Sequence, residues 1–134
     1  MPMVHKITFL QIRQDVSHED VNKELQWLGN SLGLFNLRDK DSSCFRVFII
    51  LVRKARQNAA LSSDEIAERL HLSRGTVVHH LTKLMESGIV VREREGYLLR
   101  ESHLARVIQN LRRDMESVFT ELEQVAQDID GKLG

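Results

Sequence analysis

Two serine-capped helices joined by a short turn restrict residues 61–88 more than any other feature of the chain. Ser62-Ser63-Asp64-Glu65 is a capping box: the Ser62 hydroxyl meets an orphan amide, and Glu65 reaches back from three residues on. Ile66, Ala67 and Leu70 form the apolar stripe of a helix only two turns long. Ala67 is small, as a residue must be where a second helix crosses close to it. After His71-Leu72, Ser73 caps that second helix, whose inward stripe is Val77, Leu81 and Leu84, and Gly88 supplies its stop. Each helix has a single apolar stripe, so the two must bury them together.

The flanking segments complete the unit. Ile89 to Arg94 and Tyr97 to Arg100 read as two short strands joined through Glu95-Gly96, where glycine permits the positive φ of a tight hairpin. Upstream, Cys44 to Lys54 is apolar on more than one helical face, so it needs cover on more than one side. Phe45 and Phe48 are its candidates for contact with a second subunit. Further upstream, Met3 to Ile12 reads as a strand. Ser17 opens a helix with Val21, Leu25, Leu28 and Leu32 on one face and Gly33 as its stop. Arg38 to Ser43 is a polar linker.

From Ser102 the period changes. Leu104, Ile108, Leu111, Met115, Val118, Leu122, Val125 and Ile129 follow at intervals of 4, 3, 4, 3, 4, 3 and 4, an unbroken heptad seam widened by Val107, Phe119 and Ala126. A helix of about 28 residues is roughly 42 Å long, too long for so small a domain to cover. A homodimer is expected along this seam; folding back on Val21, Leu25 and Leu28 is the alternative. The division is an N-terminal strand-helix extension at 1–42, a central domain at 43–100 and a C-terminal dimerisation helix at 101–134. The fold class is mainly α with a small β-hairpin (α+β).

The order helix, short helix, turn, helix, hairpin is a helix-turn-helix that runs into a wing. Anchored by Val77, Leu81 and Leu84, the second helix can present its opposite face to a major groove. A helical wheel points Gly75, His79, Thr82 and Glu86 outward, flanked by Val78 and Lys83, with Arg74 at the exposed N-terminal end. Ser73, Arg74, Gly75, Thr76, Val78, His79 and Lys83, with Arg92 and Arg94 of the wing, are the candidate contacts to double-stranded DNA. Arg74 suits guanine, Val78 a thymine methyl, and the wing arginines phosphate. Ser73 exposes an amide end suited to phosphate.

Net charge is zero, but its distribution is not even. Residues 43–100 carry 10 basic and 6 acidic side chains, against 5 and 6 in residues 1–42 and 4 and 7 in residues 101–134. The surplus of cations that phosphate binding needs therefore sits in the central segment alone.

Residues 45–100 resemble the winged-helix domain of ArsR-type bacterial and archaeal repressors. The resemblance rests on Val77-Val78-His79-His80-Leu81 followed by Leu84 and Gly88-Ile89-Val90. It implies a prokaryotic transcriptional regulator, dimeric through its terminal helices, with a recognition helix in the major groove. The chain departs from that pattern in three places: it lacks the Cys-x-Cys pair of the metal-sensing members, has Val78 where serine is common, and has a very short wing tip at Glu95-Gly96. Met1 to Leu37 lie outside the resemblance.

Other function classes find little support. Cys44 is the only cysteine, which excludes an internal disulfide and a multi-thiolate site within one chain; a buried apolar role is expected for it. His79 and His80 point about 100° apart on a helix and cannot chelate one ion together, so His80 is expected to be a half-buried structural histidine. No paired-carboxylate, Ser/His/Asp or phosphate-loop spacing suggests an enzyme, and no cofactor is expected. With 42% apolar residues, no membrane-spanning stretch and no signal-peptide layout, a cytoplasmic protein is expected. The competing reading is a winged-helix protein-interaction module without DNA readout, which the zero net charge favours.

Overall fold

The computed structural model describes residues 20–35 and 42–134. The strand expected from Met3 to Ile12 and the cap expected at Ser17 lie outside the described residues. Among the described residues seven elements follow one another: α1 (Val21–Ser31), α2 (Ser43–Ala55), α3 (Ser63–Leu70), α4 (Arg74–Glu86), β1 (Val90–Glu93), β2 (Gly96–Leu99) and α5 (Leu104–Leu133). The fold is mainly helical with a small antiparallel hairpin, as the sequence led one to expect.

Local chemistry sets the helix ends. Asp20 caps α1 by accepting a hydrogen bond from the Asn22 amide at 2.9 Å. The Ser62–Glu65 capping box at α3 has both of its hydrogen bonds. The Ser73 hydroxyl accepts from the Thr76 amide at 3.1 Å at the head of α4, and Gly88 follows that helix with φ of 77°. Arg46 donates to the Leu70 carbonyl, placing a cation on the C-terminal carbonyls of α3.

One apolar cluster runs through the domain. Leu25, Leu32 and Leu34 from α1 and its exit join Val47, Phe48 and Leu51 of α2, Ile66 and Ala67 of α3, and Val77, Leu81 and Leu84 of α4. Phe35 meets Phe45 and Phe48 edge-on, with centroids 5.2 and 5.9 Å away. The helix before the polar linker thus shares the core of the winged unit. Phe48 is buried within its own chain and offers no surface to a second subunit, contrary to expectation; Phe45 is half-buried.

The hairpin differs from expectation by one residue. Glu93 pairs with Gly96, so the turn is Arg94-Glu95, and Arg94, expected within the first strand, sits at the tip. A third strand segment lies beside the hairpin. Leu61 bridges Tyr97 through two backbone hydrogen bonds of 2.9 and 2.7 Å. A Cβ on Gly96, whose φ is +142°, would stand 2.4 Å from the Leu61 carbonyl oxygen. Glycine is needed at that position for close approach of another strand as well as for the turn.

The heptad seam divides in two. Val107 and Leu111 are buried in the domain core, with Leu104 and Ile108 packed against it. Leu111, expected at a subunit interface, is therefore covered by its own chain. An ion pair fixes this half of α5: the Arg100 guanidinium meets Asp114 at 2.7 and 3.2 Å, with side chains 7% and 14% exposed. Beyond it, Val118, Phe119, Leu122, Val125, Ile129 and Leu133 are all exposed, from 40% at Val118 to 82% at Leu133.

Candidate nucleic-acid interface

Helix α4 is held from behind and open in front. Val77, Leu81 and Leu84 are fully buried, and His80 joins them through a 2.7 Å hydrogen bond between its Nε2 and the Ser43 hydroxyl of α2. His80 is thus half-buried and structural, about 100° round the helix from its outward neighbour. Its neighbour His79 faces out, with ring centroids 5.6 Å apart. No group of three potential metal ligands occurs among the described residues.

The outer face carries the residues the wheel placed there. Arg74, Gly75, Val78, His79, Thr82 and Glu86 are exposed, while Thr76 and Lys83 are half-buried. Val78 is an apolar side chain left 37% exposed on a polar face. At Gly75 an added Cβ would meet nothing within 4 Å, so nothing inside the described chain requires glycine there. A bare backbone in the first turn suits an outside group that must come close.

The two ends of this face are not alike. At the C-terminal end, Leu32 and Gly33 beyond α1 share with His79, Thr82, Lys83, Glu86 and Ser87 a shallow groove of about 420 Å³. That end is flanked by protein and carries the acid Glu86. The N-terminal end, with Ser73, Arg74, Gly75 and Val78, is presented more openly and has the amide end of the helix behind it.

Two contacts at this surface have no signature in the sequence. Arg74 Nε lies 3.4 Å from Asp64 Oδ1, and both side chains are more than 70% exposed. Such a pair stabilises the fold little, but it steers Arg74 along the α3–α4 surface. On the wing, the Arg92 guanidinium stands 5.6 Å from the centroid of Tyr97, its cross-strand partner. That contact restricts Arg92, while Arg94 projects from the turn. The second depends on the one-residue shift in hairpin register, and the first on how α3 crosses α4. Cys44 is buried, with its thiol 3.4 Å from the Leu34 carbonyl.

No helix of the described residues is long and apolar enough to cross a membrane. Searches of curated proteins and of solved structures found no match to the chain. Residues 55–91, which span the end of α2, both crossing helices and the start of the wing, match the family model for winged helix-turn-helix DNA-binding domains, in keeping with the winged helix-turn-helix fold of this part of the chain.

Proposed function

We propose that the protein is a homodimeric, sequence-specific transcriptional regulator that inserts α4 into the major groove of duplex DNA and lays its short wing along the backbone. The observation that carries this reading is the outer face of α4. Its inward stripe is wholly buried, yet Arg74, Gly75, Val78 and His79 stand open at the end where recognition helices meet base edges. Lys83, Arg92 and Arg94 supply cations for phosphate, and the Ser73 turn supplies an amide end. The ArsR-type pattern noted in the sequence favours a cytoplasmic prokaryotic regulator. Without the Cys-x-Cys pair of the metal sensors, a signal other than thiolate-bound metal is the better expectation.

Dimerisation is supported by the distal half of α5, a helix whose apolar face leaves its own domain uncovered from Val118 onward. A large exposed apolar face on an otherwise well-buried chain marks an interaction surface. Two half-sites bound through one dimer make the second contact effectively intramolecular.

The reading is tested at Arg74. With its only described ion pair exposed at Asp64, Arg74→Ala should leave folding stability within about 0.5 kcal/mol. It should weaken binding to a sequence selected from random duplexes by ~1–3 kcal/mol and relax preference at one base pair. An equal loss on every sequence would make Arg74 a phosphate contact, and no loss at all would remove α4 from the interface.

A further inference from the structure

We infer that the distal half of α5 pairs with the same segment of a second copy in antiparallel orientation, with Phe119 of each chain seated over Ala126 of the other. The inference rests on the homodimer reading above and adds the direction and register of the contact.

The heptad assignment follows from the spacing. Intervals of three start at Ile108, Met115 and Leu122, which makes these and Ile129 the a positions and Leu111, Val118 and Val125 the d positions. Past Arg112, the e positions of the distal half are then Phe119, Ala126 and Leu133, all apolar. Past Val107, which lies in the domain core, the g positions are Asp114, Glu121 and Asp128, all acidic. A two-stranded coiled coil normally recruits e and g for ion pairs between helices. Here they cannot serve that purpose.

In a parallel, in-register pair, each g residue flanks the e residue five places on in the other helix. That sets Asp114 against Phe119, Glu121 against Ala126 and Asp128 against Leu133, an acid beside an apolar group each time. Asp114 is also already held by Arg100 within its own domain. Lys132 would face its own copy at the next d position. Phe119, 61% exposed in the single chain, would gain little cover.

In an antiparallel pair, e flanks e and g flanks g. Setting Leu122 opposite Val125 of the second copy also sets Val118 opposite Ile129, and symmetry repeats both layers. The four layers between Val118 and Ile129 are then apolar, and Lys132 faces Met115 of the other copy at each end of the pair, where its ammonium reaches water. The same alignment brings Phe119 of one copy to Ala126 of the other, a large side chain over the smallest residue of the face, as interdigitating interfaces need. Glu121 and Asp128 run along the opposite flank in water, where their repulsion is screened.

The geometry also suits the use of two recognition helices. Leu111, the last core residue of α5 in its own domain, lies about 12.5 residues from the symmetry axis of this pair, or ~19 Å at about 1.5 Å per residue. The points where the two domains leave the pair are then ~38 Å apart, close to the ~34–36 Å spacing of half-sites one helical turn apart on DNA.

Disulfide trapping on full-length chains decides the matter, since buried Cys44 contributes no accessible thiol. Leu122→Cys in one chain and Val125→Cys in a chain of different length are mixed and oxidised. The antiparallel pair predicts that the mixed disulfide exceeds either homodisulfide by roughly tenfold, a ratio that corresponds to ~1.4 kcal/mol. Dominant homodisulfides would overturn the orientation and leave the homodimer standing. No crosslink in any combination would remove this helix from the interface and overturn both. A swap provides a second readout free of thiol chemistry. Ala126→Phe should raise the dimer dissociation constant by about tenfold through overpacking, and adding Phe119→Ala should restore it. Failure of the second substitution to rescue the first would overturn the Phe119–Ala126 contact.

Discussion

Leu122→Lys combined with Val125→Lys should yield a monomer with an intact winged domain and an operator affinity lowered by a factor of about 10²–10⁴. In the single chain these side chains are 57% and 58% exposed. Lysine there costs the fold almost nothing, and it is a good helix former. Across a subunit interface the same two charges would be buried without partners, which is expensive. The choice of site matters. Leu111 belongs to the same seam but is buried in its own domain, so a charge there would unfold the protein and report nothing about association. Sedimentation, thermal melting and a binding titration on one sample separate the outcomes. A double variant that stays dimeric with unchanged affinity would contradict the proposed interface.

The second large effect is expected at the wing. Gly96→Ala should destabilise the fold by about 3 kcal/mol, from a strained positive φ worth ~1–3 kcal/mol and a clash of the new Cβ with backbone. The clash is with the Leu61 carbonyl at 2.4 Å and the Ser62 amide nitrogen at 2.8 Å, neither of which can turn aside as a side chain could. Relief requires breaking the Leu61–Tyr97 bridge, which ties the hairpin to the start of α3. A fall in melting temperature of ~10 °C or more follows for a domain of this size. Gly75→Ala is the control. Its Cβ meets nothing, so it should be neutral or stabilise α4 by up to ~1 kcal/mol. Equal effects at the two glycines would contradict the packing described for the wing.

These cases show which parts of the molecule were legible in the sequence. Caps and stripes were, because they depend on residues three or four apart: Ser62 with Glu65, Ser73 with Thr76, and Val77 with Leu81 and Leu84. The glycine in the wing was recognisable as a positive-φ residue. Its place on β2 was not, because the reason lies 35 positions upstream in the backbone of Leu61. The heptad seam was visible as a period, but a period does not say what covers it. Burial of Val107 and Leu111 and the Arg100–Asp114 pair divide the helix into a half that belongs to the domain and a half that does not. At the candidate interface, the outward set on α4 followed from the wheel alone. The Asp64–Arg74 and Arg92–Tyr97 contacts arise from helix crossing and strand register, which local spacing does not encode.

The central claim is that α4 and the wing form a surface for duplex DNA rather than a platform for another protein. Binding of the full-length protein to random-sequence duplex, followed from about 50 to about 200 mM salt, tests it most directly. Lys83, Arg92 and Arg94 on each protomer give six candidate phosphate contacts per dimer, three from each chain. At about −0.9 per contact, the log–log slope should lie near −5, with affinity falling roughly 10³-fold over that range. A slope near zero, or no binding even at the lowest salt, would contradict the account and favour a protein-interaction module.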